Sequence, residues 1–491
     1  MVKPNWILQR TRLSHDKMAL IDLHTKQSWT YASLEEEMLK WIAFIQQQGL
    51  KRGERMVVLS ANRMELFPIL FASGMMGIIY VPLNYRLSIK EQNELMKDAG
   101  ASLLLYDEGY EHIAAQTAID TKINIHSVTA QPIESIRETT VEPHDPWLII
   151  YTGGTTGKPK GVVLSHESVN ENAINTITSW SLSEEDTTIN YMPLFHTGGI
   201  NALCLPLLMT GGTVVIGSDF DAEEALRATN EFAATISLFV PTMYHLMTQT
   251  DYFKQAQFDS MRVFLSGGAP CPPSIYTRFH EKNLDFKEGY GLTEAGPNNF
   301  FIRPEQAKDK LGSVGKSMLF NEVLVVSDDG KPCRTNEVGE LWLKGKHVFS
   351  EYWNLEQETK EAFYEGWLKT GDLAKYDEDG DYYIVGRKKD MIISGGENIY
   401  PQEIEQCLMC HDAISEAAVI GVPEQKWGEM VIAFITLYPN EVFNEREFIE
   451  HCQAYLGNYK IPKQFIVIDD MPKTDVGKVN KNKLLQLMPK S

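Results

Sequence analysis

Short apolar segments alternate with amphipathic segments through the first part of the chain, up to about residue 310. The apolar segments predict strands at 55–60, 78–82, 102–106, 213–216, 235–240 and 262–266. The amphipathic and apolar segments between them predict helices at 36–50, 66–76, 90–98 and 222–230. Strands that alternate with helices in this way are typical of a parallel sheet covered by helices. The pattern therefore predicts an α/β fold.

Beyond about residue 310 the pattern changes to hairpins. Strands are predicted at 322–327 and 340–344, and again at 372–376 and 382–385, with Asp-Gly turns between them. The acidic run 377–381 superficially resembles a calcium loop. Its glycine is out of register and no glutamate closes it, so a solvated hairpin tip is the favoured interpretation.

The charged run 387–390 separates this region from a compact pattern at the end of the chain. That pattern predicts helices at 401–409 and from 445, and strands at 417–422, 431–437 and 464–468. We therefore predict a large N-terminal domain (1–386), a hinge (387–390) and a small, mobile α+β C-terminal domain (391–491). The large domain is expected to contain stacked, mostly parallel sheets and a small barrel-like β part.

Charge and hydropathy limit the partners of the chain. The formal net charge of −20 argues against nucleic acid or an anionic membrane surface as the main partner, so an anionic substrate needs a local basic pocket. Residues 66–83 carry no charge, but Pro68, Gly74 and Gly77 interrupt them. This favours a buried helix followed by a strand over a transmembrane segment. Because the N-terminus also lacks the features of a signal peptide, we expect a cytoplasmic protein.

Six cysteines are scattered along the chain, too few to suggest a disulfide framework. Cys407 and Cys410 have the spacing of a metal or redox pair. Only His411 lies close by as a further ligand, so two cysteines that pack on a helix are favoured.

A glycine- and threonine-rich segment, Thr152-Gly-Gly-Thr-Thr-Gly-Lys-Pro-Lys-Gly161, follows the apolar strand predicted at 147–151. Its backbone N–H groups, hydroxyls and lysines suit a polyphosphate. It is not a Walker loop, because Pro159 stands where Mg²⁺ requires a serine or threonine. With a helix predicted from Ser165, the order strand, loop, helix is expected to place phosphate at a helix N-terminus. The metal ligand must then come from elsewhere.

Four later motifs supply groups that a nucleotide needs. In Glu288-Gly-Tyr-Gly-Leu-Thr-Glu294, a tyrosine between glycines suits a planar ligand, Thr293 can donate to phosphate, and Glu294 offers Mg²⁺ an oxygen ligand. Asp372 can accept from a ribose diol, and the guanidinium of Arg387 suits ribose or phosphate. Lys478 follows a glycine near the end of the chain. Taken alone, each of these motifs also fits an ordinary turn or a solvated charge run.

Together these motifs resemble the adenylate-forming superfamily of acyl-CoA synthetases, luciferases and peptide-synthetase adenylation domains. The resemblance extends over nearly the whole chain. It includes Pro193-Leu-Phe-His196, Gly267-Gly-Ala-Pro270, Ser394-Gly-Gly-Glu-Asn398, Tyr400-Pro-Gln-Glu-Ile-Glu405 and Pro472-Lys-Thr-Asp-Val-Gly-Lys478.

The resemblance implies a role for each matching residue. The β- and γ-phosphates of ATP would be held by Thr152, Gly153, Gly154, Thr155, Thr156, Gly157, Lys158 and Lys160. The nucleotide site would also include Gly268, Ala269, Pro270, Glu288, Gly289, Gly291 and Leu292, with Tyr290 stacked on adenine. Thr293 would contact the α-phosphate, Glu294 would bind Mg²⁺, and Asp372 and Arg387 would hold the ribose. Lys478 would bridge the carboxylate and the α-phosphate, and His196 would lie at the mouth of the acyl pocket.

The resemblance also implies a two-step reaction and a domain movement. An acid would react with ATP to give an acyl-adenylate, and coenzyme A would then displace AMP. Rotation at Lys389 would exchange Lys478 for Gly395 and Gly396, which leave a path for the pantetheine thiol. One departure stands out: the family usually has serine or threonine where this chain has Gly153. Loss of one hydroxyl donor is expected to weaken ATP binding by about 1 kcal/mol at most.

The acid is less well determined than the reaction. The segments 196–201, 239–244, 266–269 and 291–299 are expected to line the acyl pocket, and they contain no arginine or lysine. They favour a medium- or long-chain fatty acid, and hence a role in lipid metabolism, followed by an aryl acid such as a benzoate or o-succinylbenzoate. Asn298 and Asn299 are interpreted as a loop turn or as polar contacts to a substituted acid. Loading of a carrier protein, a luciferase-like oxygenase and an inactive nucleotide-binding regulator remain alternatives, and a homodimer is possible.

Overall fold

The computed structural model describes residues 6–131, 141–153, 159–424, 426–474 and 478–488. One sheet has seven strands, in the spatial order Glu351–Tyr352, Lys160–Ser165, Pro146–Thr152, Ile79–Pro82, Arg55–Leu59, Leu103–Tyr106 and Lys122–Asn124. The last five run parallel to one another, whereas Lys160–Ser165 is antiparallel to both of its neighbours. The predicted α/β fold is confirmed for this part of the chain.

The helices joined to this sheet follow the predicted alternation. They are Trp6–Leu13, Tyr31–Gln47, Leu66–Met76, Ile89–Ala99, Glu111–Ala114 and His166–Trp180. Tyr31–Gln47 begins earlier than predicted because Thr30 caps it, accepting the amide of Ser33 through Oγ1 at 3.2 Å. Leu66–Met76 has the predicted bounds, is buried along nearly all its length and ends at Gly77, whose φ is 66°. Nowhere in the described part of the chain is a helix both long and apolar enough to cross a bilayer.

Two smaller sheets complete the stacked part of the fold. One has the order Ser28–Thr30, Met18–Asp22, Thr213–Ile216 and Thr187–Asn190, and the other has the parallel strands Ile236–Phe239, Val263–Ser266 and Phe286–Glu288. Their helices are Thr197–Asn201, Cys204–Thr210, Ala222–Glu231, Pro241–Gln249, Asp251–Gln255, Pro273–Glu281 and Pro304–Ala307. A second apolar core, rich in aromatic rings, lies among these elements.

The barrel-like part is an antiparallel sheet. Its strands are Phe300–Phe301, Ser313–Ser317, Tyr382–Arg387, Trp367–Tyr376, Gly339–Lys344 and Glu322–Val326, with Phe363–Tyr364 paired to Trp367–Tyr376 after the helix Glu356–Ala362. The acidic run 377–381 is the tip of a hairpin, as predicted. The ammonium of Lys310 lies at this tip, 2.9 Å from Asp377 and 2.7 Å from Asp379, and also contacts Asp381.

The C-terminal part has its own sheet and its own core. The sheet contains Glu397–Ile399, Ile392–Ser394, Gly428–Leu437, Ile414–Glu424 and Gln464–Val467, and the helices are Pro401–Leu408, Glu445–Tyr455 and Lys481–Gln486. Only Gln464–Val467 is parallel to its neighbour among these strands. Buried apolar residues from the sheet and the first two helices form one contiguous cluster, so this α+β unit does not depend on the large domain for its core. Cys407 is buried in that cluster, as predicted, whereas Cys410 lies beyond the helix Pro401–Leu408 and is exposed, so it does not pack as expected.

Candidate functional site

A cavity of about 890 Å³ lies where the sheets of the large domain meet the C-terminal part. Many of the residues predicted for the site line it: Thr152, Gly153, Lys160, His196, Gly268, Gly289, Gly291, Leu292, Thr293, Glu294, Arg387, Lys389 and Lys478. They come from motifs spread over more than three hundred residues of sequence. The fold therefore gathers the predicted motifs around one space.

The glycine-rich segment has a different setting from the one predicted. Strand Pro146–Thr152 pairs with strand Lys160–Ser165, and Thr152 lies opposite Lys160. The helix His166–Trp180 begins only after this second strand, where Ser165 accepts the amide of Ser168 at 3.1 Å. The expected order strand, loop, helix was wrong, because the apolar residues 162–164 form a buried strand before the helix. Gly154, Thr155, Thr156, Gly157 and Lys158 lie outside the described residues.

Gly153, the position that departs from the family pattern, lies at the end of the first hairpin strand. A β-carbon added there would meet no atom of the described residues within 4 Å. The described surroundings therefore leave room for a side chain at this position.

Glu294 is held in the cavity by a residue that the sequence did not reveal. It lies in the short 3₁₀ helix Thr293–Ala295, and its Oε1 accepts the hydroxyl of Tyr352 at 2.9 Å. The ring of Tyr352 lies 4.7 Å from the ammonium of Lys160, so one tyrosine contacts both the carboxylate and the hairpin lysine. Tyr352 could not be found by motif, because its place depends on the pairing of Glu351–Tyr352 with Lys160–Ser165.

Asp372 and Arg387 lie directly opposite each other on neighbouring strands. Arg387 Nε is 2.6 Å from Asp372 Oδ1, and the hydroxyl of Tyr290 donates to Asp372 Oδ2 at 2.6 Å. Burial raises the pKa of Asp372, although Arg387 and Tyr290 act in the opposite direction. Tyr290 itself does not line the cavity; its ring packs edge-on against Phe300, with centroids 5.8 Å apart. The two residues assigned to the ribose are thus together, and Tyr290 positions one of them.

Lys478 reaches the cavity from the C-terminal part. The residue as a whole is exposed, whereas its ammonium is desolvated, and this desolvation together with Arg387 holds its pKa below the usual range. Asp372 and Glu294 act in the opposite direction on the same pKa. The structure thus places this lysine near the groups assigned to ribose and metal.

His196 is neutral at physiological pH. Its Nδ1 accepts the amide of Gly198 at 3.1 Å, which leaves the ring proton on Nε2. Burial, and to a smaller extent Lys478, lowers the pKa of His196 to about 4. The side chain can therefore offer the cavity one N–H donor and no positive charge.

Several predicted residues lie outside the cavity wall. Glu288 is buried behind it, where its Oε1 accepts the amide of Cys271 at 2.8 Å, and burial raises its pKa to about 7. Through this hydrogen bond, Glu288 connects strand Phe286–Glu288 to the segment that carries Ala269 and Pro270. Neither Ala269 nor Pro270 lines the cavity. Gly395 and Gly396 form a turn with positive φ in the C-terminal sheet, away from the cavity. This position agrees with the expectation that they reach the cavity only when Lys478 has left it, and their role there stays a prediction.

The apolar side of the cavity is formed by Met192, Phe195, Leu238, Leu265 and Pro297, which we call the apolar wall. The predicted segment 239–244 is not part of it. Tyr244, for example, is fully buried and donates to the carbonyl of Leu265, so this segment lies behind the wall. Asn299 is also behind it, where its Oδ1 lies 3.0 Å from His347 Nε2, whereas Asn298 lines the cavity.

Comparison with known proteins gives a consistent result over the whole chain. The family model of AMP-binding enzymes matches residues 8–353, and that of the AMP-binding enzyme C-terminal domain matches residues 403–478. The chain is 33% identical to a feruloyl-CoA synthase of Amycolatopsis sp. over 98% of both chains. It is 32% identical to the long-chain-fatty-acid–CoA ligase FadD13 of Mycobacterium tuberculosis H37Rv, over 98% of this chain and 97% of that one. An o-succinylbenzoate CoA synthetase of Bacillus subtilis, solved with ATP and a magnesium ion, is similar with a TM-score of 0.88, 31% identity and coverage of 98% and 99%.

Proposed function

The chain belongs to the AMP-binding enzyme family, and we propose that its cavity joins a carboxylic acid with an uncharged tail to coenzyme A. Its relatives are acid–CoA ligases, so the reaction class is that of an AMP-forming acid–thiol ligase, and it binds ATP. One observation carries the assignment to this cavity: Lys478, from the C-terminal part, faces the same space as Glu294 and Arg387 from the large domain.

In the first step, a carboxylate oxygen of the acid would attack the α-phosphorus of ATP. A bond forms between them, the bond to the bridging oxygen breaks, and pyrophosphate leaves. Lys478 would lie between the two anions and reduce their repulsion. Thr152 and Lys160, at the end of the hairpin, would hold the leaving pyrophosphate, and the Asp372–Arg387 pair would fix the ribose.

Magnesium would be held by Glu294. One carboxylate oxygen already accepts the hydroxyl of Tyr352, and the other accepts no hydrogen bond from a described residue, which suits a hard cation that prefers oxygen ligands. When bound, the ion would neutralise part of the charge on the phosphates. Tyr352 would keep the carboxylate turned towards them.

In the second step, the thiol of coenzyme A would attack the acyl carbon, and AMP would leave. Lys389, in the 3₁₀ helix Lys388–Asp390 between the two domains, would be the hinge for a rotation that brings Gly395 to the cavity. The amide of Gly395 donates to the carbonyl of Trp427 at 2.7 Å, so the two would approach the cavity as one unit. The arrangement described here, with Lys478 at the cavity, corresponds to the first step.

Two classes of acid fit the apolar wall. A medium- or long-chain fatty acid is the class predicted from sequence, and an aryl acid has equal support from the relatives. The predicted acyl-pocket segments that line the cavity, within 196–201, 266–269 and 291–299, contain no lysine or arginine, which disfavours a second carboxylate on the tail.

The test separates the two half-reactions. The purified full-length chain would be mixed with ATP, magnesium and single acids, from short fatty acids to benzoates and cinnamates, and exchange of labelled pyrophosphate into ATP would be measured. Acids that support exchange would then be given coenzyme A, and the thioester would be identified by mass. We expect both reactions with the same acids. Absence of exchange with every acid would refute the first step, and exchange without thioester would refute coenzyme A as acceptor.

A further inference from the structure

A pair of stacked rings joins the two domains away from the cavity. His245 lies on the helix Pro241–Gln249 of the large domain, and Tyr438 follows the strand Gly428–Leu437 of the C-terminal domain. Their ring centroids are 6.1 Å apart, and the two ring planes are inclined by 29°. Both residues are half-buried, so each ring removes part of the surface of the other from water.

Each of the two rings is held in place by its own domain. One helical turn beyond His245, the side chain of Gln249 lies 2.7 Å from the Nε2 of the imidazole. The amide of Tyr438 donates to the carbonyl of Ala413 at 3.0 Å, and the carbonyl of Tyr438 accepts the amide of Glu441 at 3.1 Å. Burial lowers the pKa of His245, so an uncharged imidazole stacks on the phenol ring at physiological pH. The contact therefore depends on how the two domains are placed, and not on a flexible segment of either one.

Other contacts between the domains lie beside the proposed hinge in the sequence. Gln402 Nε2 donates to the carbonyl of Ile384 at 3.0 Å, and Lys388 pairs with Glu340 at 3.3 Å. A hinge absorbs the change of backbone angles locally, whereas contacts made elsewhere between the moving bodies are formed and broken. His245 and Tyr438 are both remote from Lys389 in the sequence. Under the proposed function, a rotation at this lysine would therefore break the stack of the two rings.

We propose that the stack of His245 on Tyr438 favours the arrangement in which Lys478 lies at the cavity, so that His245 is a positioning residue for the first half-reaction. The proposal rests on the proposed function, since it takes the rotation at Lys389 to separate the two half-reactions. A contact that is present in one arrangement and absent from the other shifts the equilibrium between them by its own free energy. Aromatic pairs typically contribute enough to shift such an equilibrium by about 2- to 10-fold.

The ratio of the two half-reactions measures this equilibrium. The specificity constant kcat/KM would be determined for pyrophosphate exchange with one acid, and separately for the reaction of the pre-formed acyl-adenylate with coenzyme A. At limiting substrate, each constant is proportional to the fraction of the free enzyme that has the competent arrangement. We expect His245→Ala to lower the ratio of the first constant to the second by about 2- to 10-fold, whichever arrangement predominates. An unchanged ratio in this variant would overturn the proposal.

Further variants assign the effect to the stacked rings themselves. Tyr438→Ala removes the same contact from the other domain, so the double variant with His245→Ala should lower the ratio no further than either single variant. His245→Phe keeps a ring in place and should retain the ratio of the unaltered chain. Leu246→Ala is the matched control, because it changes the next residue of the same helix, whose side chain is 51% exposed. Additive losses in the double variant, or a loss in His245→Phe as large as that in His245→Ala, would refute the role of the stack.

The proposed function and the role of the stack fail in different ways. If the unaltered chain supports pyrophosphate exchange with no acid, the ligase assignment of the cavity fails, and the role of the stack fails with it. If the unaltered chain performs both half-reactions but the ratio does not respond to His245→Ala, only the role of the stack fails. Should one of the two alanine variants not fold, the other removes the same contact from the opposite domain and decides the question together with His245→Phe.

Discussion

Replacing Lys478 by alanine removes one positive charge from the cavity without removing a packed side chain from the core. At about 4 Å and an effective dielectric of 20, a unit charge contributes roughly 4 kcal/mol to the stabilisation of a phosphate. Removal of a single electrostatic stabiliser typically lowers a rate by about 10²- to 10³-fold. We therefore expect Lys478→Ala to lower the rate of adenylation by this factor.

The surroundings of Lys478 indicate where the loss should appear. Desolvation and Arg387 hold its pKa down, so the charge is not a large stabilising element of the free enzyme. Its effect should grow when two anions enter the cavity. The variant is therefore expected to fold with nearly unaltered stability and to lose rate in the first half-reaction.

The assay compares the two half-reactions in the same variant. Pyrophosphate exchange reports adenylation, and reaction of a pre-formed acyl-adenylate with coenzyme A reports thioester formation. Lys473→Ala is the control, because Lys473 lies five residues away and pairs with Glu416 at 2.6 Å, a partly exposed pair whose loss should cost at most about 1 kcal/mol of stability. An equal loss of both half-reactions in Lys478→Ala would refute the assignment of this lysine to the first step alone.

Three further predictions concern pH, the metal and packing. Because the pKa of Lys478 is lowered, this lysine loses its charge at a lower pH than an ordinary lysine, and the adenylation rate should fall as the pH rises through that range. Lys478→Arg stays protonated and should move this alkaline fall of the adenylation rate to higher pH. Tyr352→Phe removes the donor to Glu294 and should raise the magnesium concentration for half-maximal exchange by about 2- to 10-fold, with little change in the rate at saturating metal. Gly74→Ala would place a methyl group 2.5 Å from an indole nitrogen and should lower the free energy of unfolding by about 1–3 kcal/mol, whereas Gly109→Ala, at an open position, should have little effect in the same thermal unfolding experiment.

Local signals in the sequence were sufficient to predict individual helices and strands. Helix Leu66–Met76 could be bounded because Gly77 adopts a left-handed conformation at its end, and apolar residues fill its length. The segment 160–165 was missed because an apolar run so close to a helix start does not show whether it is a separate strand. Its identity as a strand depends on the register with Pro146–Thr152, which is a tertiary contact.

The site was predictable as a set of motifs but not as a geometry. Asp372 and Arg387 were assigned to one ligand from separate motifs, and their pairing across two strands requires the hairpin between them. The hydroxyl of Tyr290 donates to Asp372, a contact between two separate motifs that neither motif shows by itself. Glu288 was assigned to the nucleotide site because it begins the motif that ends at Glu294, although it lies on a strand whose three residues are all buried. Residue identity could suggest a role, whereas the side of the strand could not be determined from a short motif.

The two C-terminal motifs belong to one body, so the proposed rotation would move them together. Val479 forms an isolated antiparallel β-bridge with Lys473, and Lys481 Nζ donates to the carbonyl of Val419 at 3.0 Å. These contacts connect the segment that carries Lys478 to the hairpin formed by strands Ile414–Glu424 and Gly428–Leu437. Gly395 is hydrogen-bonded to Trp427, the residue that precedes strand Gly428–Leu437 of the same hairpin. A rotation that brings Gly395 to the cavity would therefore move Lys478 with it. Under the proposed function, this connection is how a rotation at Lys389 would change which half-reaction the cavity supports.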